Sequence, residues 1–220
     1  MPLTDSVITL SIFAAVYFGL RGLKVPGAGG WAIASTLALA TWRLQTGGQN
    51  WGSLGLLPPT SWRSVLQWII SLYATIVIAN IAIVTPIARW RRWPPVDLSR
   101  FRTLPGNARA LVLWLLLAWT TAAIAEELVF RGFLMTRFEI ALGGGLMALS
   151  CAAFLQALIF GIAHAYLGAR GALTAAVVAL IFGAVYYLNG RQLVSLILGH
   201  GLIDSVSLIA IYAGASTRGA

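Results

Sequence analysis

From its start the chain is a succession of apolar stretches cut by short groups of glycine, proline, asparagine and arginine. Val7 to Leu20 is the first, preceded by Asp5 and followed by Arg21 and Lys24. A secretory signal carries its positive charge before the apolar core. Here the charge follows, so a retained first span that starts outside the cytoplasm is expected. GLKVPGAGG is a turn-rich connection to a second, short span around Trp31 to Trp42, reaching from Pro26 to Leu44, which crosses with little tilt or lies partly in the interface. Gln45 to Arg63, with GGQN and LLPPT, reads as a loop or interfacial segment. Ser64 to Ala88 is a third span, with Trp68 and Tyr73 near its start, Trp90 just past its end and Pro86 distorting its last turn. Ala110 to Phe133, Gly144 to Tyr166, Ala172 to Leu188 and Leu193 to Tyr212 follow, with MTRFEIALGGG as a surface turn after the fourth. The pattern predicts an all-α, polytopic membrane helix bundle of about seven transmembrane helices, six to eight if half-spans occur, around a polar cavity.

Composition agrees with that pattern and narrows it. Hydrophobic residues make up 59% and charged residues 10%, against about 25% charged in soluble domains. The 220 residues are expected to form a single membrane-embedded domain, 1–220. A net charge of +9, from 15 basic and 6 acidic residues, sits between apolar spans, the arrangement that meets anionic lipid and sets positive-inside topology rather than binding nucleic acid. Arg89, Arg91, Arg92, Arg100, Arg102 and Arg109 face one acid, Asp97, so the Arg89 to Arg109 connection should be cytoplasmic. Cys151 is the single cysteine, which excludes an intrachain disulfide and a four-cysteine metal site. It is expected to be a small buried hydrophobe.

Against this background AEELVFRG, Ala125 to Gly132, stands out. Ionised carboxylates are costly in hydrocarbon, so Glu126 and Glu127 need a partner, a wet cavity or a function. On a helix Glu127 and Arg131 are four apart and share a face, which suits an ion pair. Glu126 is rotated roughly 100° away and is left for chemistry. Gln156, Phe160 and His164 recur every four residues on one stripe, expected to face the bundle interior, and His200 and Asp204 have the same spacing on the last span. Peptide hydrolysis needs a polarised water, a stabilised oxyanion and a proton for the leaving amine. A buried glutamate assisted by a histidine can do the first and third, and a histidine or another donor the second. The candidate catalytic set is Glu126, Glu127, His164, His200 and Asp204, supported by Arg131 and Phe160.

Rival chemistries are mostly absent. The HExxH zinc signature is missing, although a three-helix zinc site from His164, His200 and Glu126 remains an alternative; no cofactor is favoured. There is no GxSxG elbow, and Ser195 and Ser205 are the serines to check as nucleophiles. Gly143 to Gly145 lacks the lysine of a phosphate-gripping loop.

EExxxR at Glu126 to Arg131, FxxxH at Phe160 to His164 and HxxxD at His200 to Asp204, in order on successive apolar segments, resemble the CAAX-protease and bacteriocin-processing family of intramembrane endopeptidases, also called the Abi family. The resemblance covers roughly Leu115 to Ser207, and Met1 to Arg109 carries nothing diagnostic. It implies seven or eight helices around a conical, water-filled cavity, with Glu126 activating water beside His164. Glu127 would orient the site with Arg131, and His200 would form part of the oxyanion site. Asp204 stands where asparagine is frequent. An ionised aspartate repels an oxyanion, so Asp204 is expected either to donate when protonated or to hold His200 in one tautomer.

The expected function is thus an intramembrane endopeptidase acting on membrane-associated peptides or proteins, in the cytoplasmic membrane of a bacterium. The alternatives are a peptide-binding scaffold or immunity protein that does not cut, and a small-solute transporter using the acids and histidines as relay groups, for which no inverted repeat is apparent. Substrate, prenylation and oligomeric state are not encoded in recognisable residues.

Overall fold

The computed structural model describes residues 2–23, 25 and 27–214, with side chains from residue 4. The flanking charge of Lys24, the start of the second span at Pro26 and the polar tail beyond Gly214 lie outside the described residues. Among the described residues seven long helices follow one another: α1 Pro2–Gly22, α2 Ala28–Thr46, α3 Trp62–Trp90, α4 Ala108–Ala141, α5 Gly145–Ala163, α6 Gly168–Leu188 and α7 Leu193–Tyr212. The described residues contain no strand. All but α2 are long and apolar enough to cross a membrane. Exposed side chains such as Leu66, Ile81, Leu116, Phe154 and Val206 coat the outside, as a hydrocarbon solvent requires.

Helix boundaries follow local chemistry. Ser61 Oγ caps α3 by accepting the Ser64 N–H, Asn107 Oδ1 caps α4 through Ala110, and Gln192 Oε1 caps α7 through Val194. Gly143, Gly144 and Gly145 all have positive φ, so the reversal between α4 and α5 needs residues without a Cβ. Pro86 removes a donor near the end of α3, and a wide π turn over Asn80–Val84 precedes it within a continuous helix.

Two expectations change. The fourth helix runs on to Ala141, so Arg137 and Glu139 are helical and half-buried rather than in a surface turn. Arg137 donates to Gln49 Oε1 at 2.8 Å and lies 3.7 Å from the buried Asp5, which also pairs with Arg43. Glu139 accepts two 2.8 Å bonds from Arg191. The partners that make helix possible there come from distant sequence. Cys151 is exposed on the apolar outer wall of α5 rather than buried, because membrane solvent accepts a small hydrophobe on either side of a helix.

The core centres on the second half of α4, where every residue from Glu127 to Met135 is buried. α5 and α6 meet closely at Gly161, where a Cβ would come 2.9 Å from the Ala172 carbonyl. Gln156 Nε2 crosses to the Ala179 carbonyl at 2.9 Å, which places the predicted polar stripe inside the bundle. One end of the bundle is tied by Tyr186, whose hydroxyl donates to the Leu54 carbonyl at 2.7 Å, and by the Leu193 N–H on the Gly55 carbonyl at 3.0 Å. At the other end the arginine-rich connection is fastened by the Asp97 N–H on the Leu167 carbonyl and the Gly106 N–H on the Tyr212 carbonyl, both 3.0 Å.

Candidate active site

The site is assembled on an unusual length of helix. From Ala118 to Met135 α4 winds with π-type, i→i+5 hydrogen bonds, a wide winding that costs packing quality and is frequent at functional positions. The wider turn rotates each residue less than an α-helix does, so Glu126 and Glu127 diverge by somewhat less than the α-helical angle. Their surroundings nevertheless differ. Glu127 is fully buried and its Oε1 accepts from Arg131 Nη1 at 2.9 Å, the predicted i,i+4 pair.

The same oxygen accepts from His200 Nδ1 at 2.8 Å. A carboxylate acceptor at this distance requires the hydrogen on Nδ1, so Glu127 sets the histidine tautomer and ring orientation. Asp204 therefore does not occupy the orienting position. Its Oδ2 lies 3.7 Å from His200 Nε2, beyond hydrogen-bond distance and within ion-pair range. His200 thus lies between two carboxylates on its two nitrogens.

Arg131 is 1% exposed and its guanidinium is sandwiched by aromatic faces, 4.9 Å from the Phe160 ring centre and 5.0 Å from that of Phe182. Cation–π contacts of this kind replace part of the lost hydration. Glu127 Oε2 and Arg131 Nε find no hydrogen-bond partner among the described residues.

His164 is not inside a helix. α5 stops at Ala163, and His164 caps it with a non-helical backbone, its N–H shared between the Phe160 and Gly161 carbonyls. Its Nδ1 is 2.9 Å from the Phe160 carbonyl, which can only accept, so Nδ1 carries the hydrogen and Nε2 keeps its lone pair. The imidazole stacks on Phe160 at 4.4 Å and 24°. Phe160 accordingly does more than fill space: one residue holds the His164 tautomer through its carbonyl, the ring through stacking and Arg131 through its π-face.

Glu126 is half-buried and makes no hydrogen bond among the described residues, though it lies within electrostatic reach of His200, Asp204, Arg131 and Glu127. No hydrogen bond joins it to His164. Phe182 and Trp119 went unseen in the sequence. Phe182 meets His200 edge-on at 5.6 Å, and Trp119 Nε1–H donates to Ser205 Oγ at 3.1 Å across the α4–α7 contact. An apolar residue in a membrane helix carries no signal of such a role.

The serine candidates are committed to structure. Ser195 is fully buried and accepts from Asn189 at 2.8 Å, and Ser205 donates to the Gly201 carbonyl at 2.6 Å. Among the described residues no three histidine, cysteine or acidic side chains come together as a metal-holding group, so His164, His200 and Glu126 do not fit zinc as they stand.

A helical bundle of membrane-spanning length with a buried acid–histidine–arginine network defines the class as an integral membrane protein with an ionisable intramembrane site. Residues 108–206 match the family described as type II CAAX prenyl endopeptidase Rce1-like, which makes this stretch a CAAX-protease-like domain. No curated protein and no solved structure matches the chain.

Proposed function

We propose that the protein is an intramembrane endopeptidase in which Glu126 activates water with His164, and Glu127, Arg131 and His200 form the supporting framework. The observation that carries this reading is the partition of the two adjacent glutamates. Glu127 is engaged by Arg131 and His200, whereas Glu126 is free of hydrogen bonds among the described residues.

The rest of the arrangement is consistent with that division. Glu126, His164, His200 and Asp204 are half-buried while Glu127 and Arg131 are sealed, so water has access to the reacting side and not to the Glu127–Arg131 pair. Glu126 takes the proton of the attacking water and passes it to the leaving amine, a role that general acid–base catalysis gives to a carboxylate near a reacting group. His164, with its Nε2 lone pair free, accepts a hydrogen bond from the same water. His200 donates toward the tetrahedral oxygen when its Nε2 is protonated, with Asp204 Oδ2 3.7 Å from that nitrogen.

The match over residues 108–206 supports a membrane-associated peptide or protein as substrate. The enclosing polar cavity, the crossing of α2 as a seventh span and a cytoplasmic arginine-rich loop belong to the same proposal. Purified protein in detergent, incubated with a library of membrane-derived peptides and read by mass spectrometry, should generate new termini at one position per substrate. Binding without new termini would replace the peptidase by a peptide-binding scaffold.

A further inference from the structure

The arginine-rich connection between α3 and α4 is more ordered than a lipid-facing loop requires. Leu104 within it is fully buried, the Phe101 ring lies 4.8 Å from Trp114, and the Asp97 N–H holds the Leu167 carbonyl three residues past His164. Asp97, the loop's acid, is occupied locally: its Oδ1 accepts the Ser99 N–H at 2.8 Å, and these bonds hold the carboxyl below the usual carboxylate range.

Arg100 stands at the centre of this order. Its guanidinium lies 5.2 Å from the Trp114 ring centre on α4 and 5.1 Å from that of Tyr166, in the turn joining α5 to α6. Among the described residues it is the one arginine of the loop held over rings from two other elements, and no carboxylate comes within ion-pair distance of it. Tyr166 is in turn 5.7 Å from the His164 ring. The two separations, 5.7 and 5.1 Å, put the guanidinium within about 11 Å of His164, or about three residues of extended peptide.

The exposed guanidinium is held against the two rings and bonded to the Tyr166 hydroxyl, which leaves its other N–H groups for an acceptor, and a fork already positioned loses less entropy on binding. We propose that Arg100 is a specificity-determining residue that binds a carboxylate of the peptide substrate within about three residues of the reacting bond. The proposal rests on the peptidase reading of the neighbouring site for its reaction, and on the geometry around Arg100 for its ligand. The five other arginines of the connection, none of them held at rings from two other elements, are left to meet lipid.

The test is a peptide set in which one aspartate is walked through the sequence, each member paired with its asparagine counterpart. Both cleavage and binding to the purified protein, by fluorescence anisotropy, are measured for wild type, R100Q and R100K. Wild type should favour the aspartate peptide at one or two positions by about tenfold, the size of one charge-assisted bond. R100Q should bring the aspartate peptide down to the level of its asparagine partner, and R100K should fall between, because a point charge lacks the fork. A wild type indifferent to aspartate, or an R100Q protein that keeps the preference, overturns the proposal. An indifferent wild type whose R100Q variant instead loses affinity for phosphatidylglycerol vesicles assigns Arg100 to lipid. A binding preference without any cleavage retains the Arg100 assignment and removes the peptidase reading.

Discussion

His200 and Glu127, 73 positions apart, share a 2.8 Å hydrogen bond from the imidazole Nδ1 to the carboxylate Oε1 that also receives Arg131. A fully buried oxygen bonded to two cationic or potentially cationic donors is a framework, not a spare base. In the proposed mechanism this bond commits Glu127 to the framework and leaves Glu126 as the base.

E126Q preserves size and breaks no hydrogen bond among the described residues. Thermal unfolding in detergent should be nearly unchanged, while turnover falls on the order of 10²-fold or more through loss of the base. Near-normal cleavage by E126Q would reverse the assignment of the two glutamates.

E127Q leaves the Arg131 charge buried without its counter-ion and weakens the acceptor of His200. Breaking a buried pair from one side costs about 3–5 kcal/mol, so a large fall in melting temperature should accompany the loss of activity. Replacing Glu127 and Arg131 together by apolar residues should recover part of the stability and none of the cleavage. A stable but inactive E127Q would contradict the framework role.

G201A should be far more damaging than G199A. A Cβ at Gly201 would stand 2.6 Å from the Trp119 ring, whereas one at Gly199 would meet the movable end of Leu72 at 3.1 Å. Overpacking against a rigid ring is expected to cost about 1–3 kcal/mol and to disturb the Trp119–Ser205 bond and His200 beside it. Melting temperature and tryptophan emission would register both effects, and equal behaviour of the two variants would count against the close α4–α7 contact.

A cysteine at Ser99, in the connection with six arginines, should react with an impermeant thiol reagent only after cells are permeabilised, in a background where the exposed Cys151 is replaced by serine. Labelling of intact cells would place the Arg89 to Arg109 loop outside the cytoplasm.

Cleavage should persist after exhaustive chelation, with no stoichiometric zinc found by elemental analysis. Loss of activity on chelation and recovery with added zinc would instead make His164, His200 and an acid its ligands after rearrangement.

Periodicity and composition alone determined that the chain is a helical membrane bundle, because spans and their flanking charges are local properties that hydrocarbon imposes one segment at a time. The Glu127–Arg131 pair was legible for the same reason: a four-residue spacing brings two side chains together on helical winding without help from any other segment. The Gln156, Phe160, His164 stripe was legible too, although its last member proved to cap the helix. Only tertiary structure decided that His200 rather than a closer neighbour completes the Glu127 site, that Phe182 covers Arg131, and that Arg137 and Glu139 are drawn into a helix by Asp5 and Arg191. Those contacts join segments tens of residues apart, and their geometry depends on how whole helices cross, a property that no local spacing encodes.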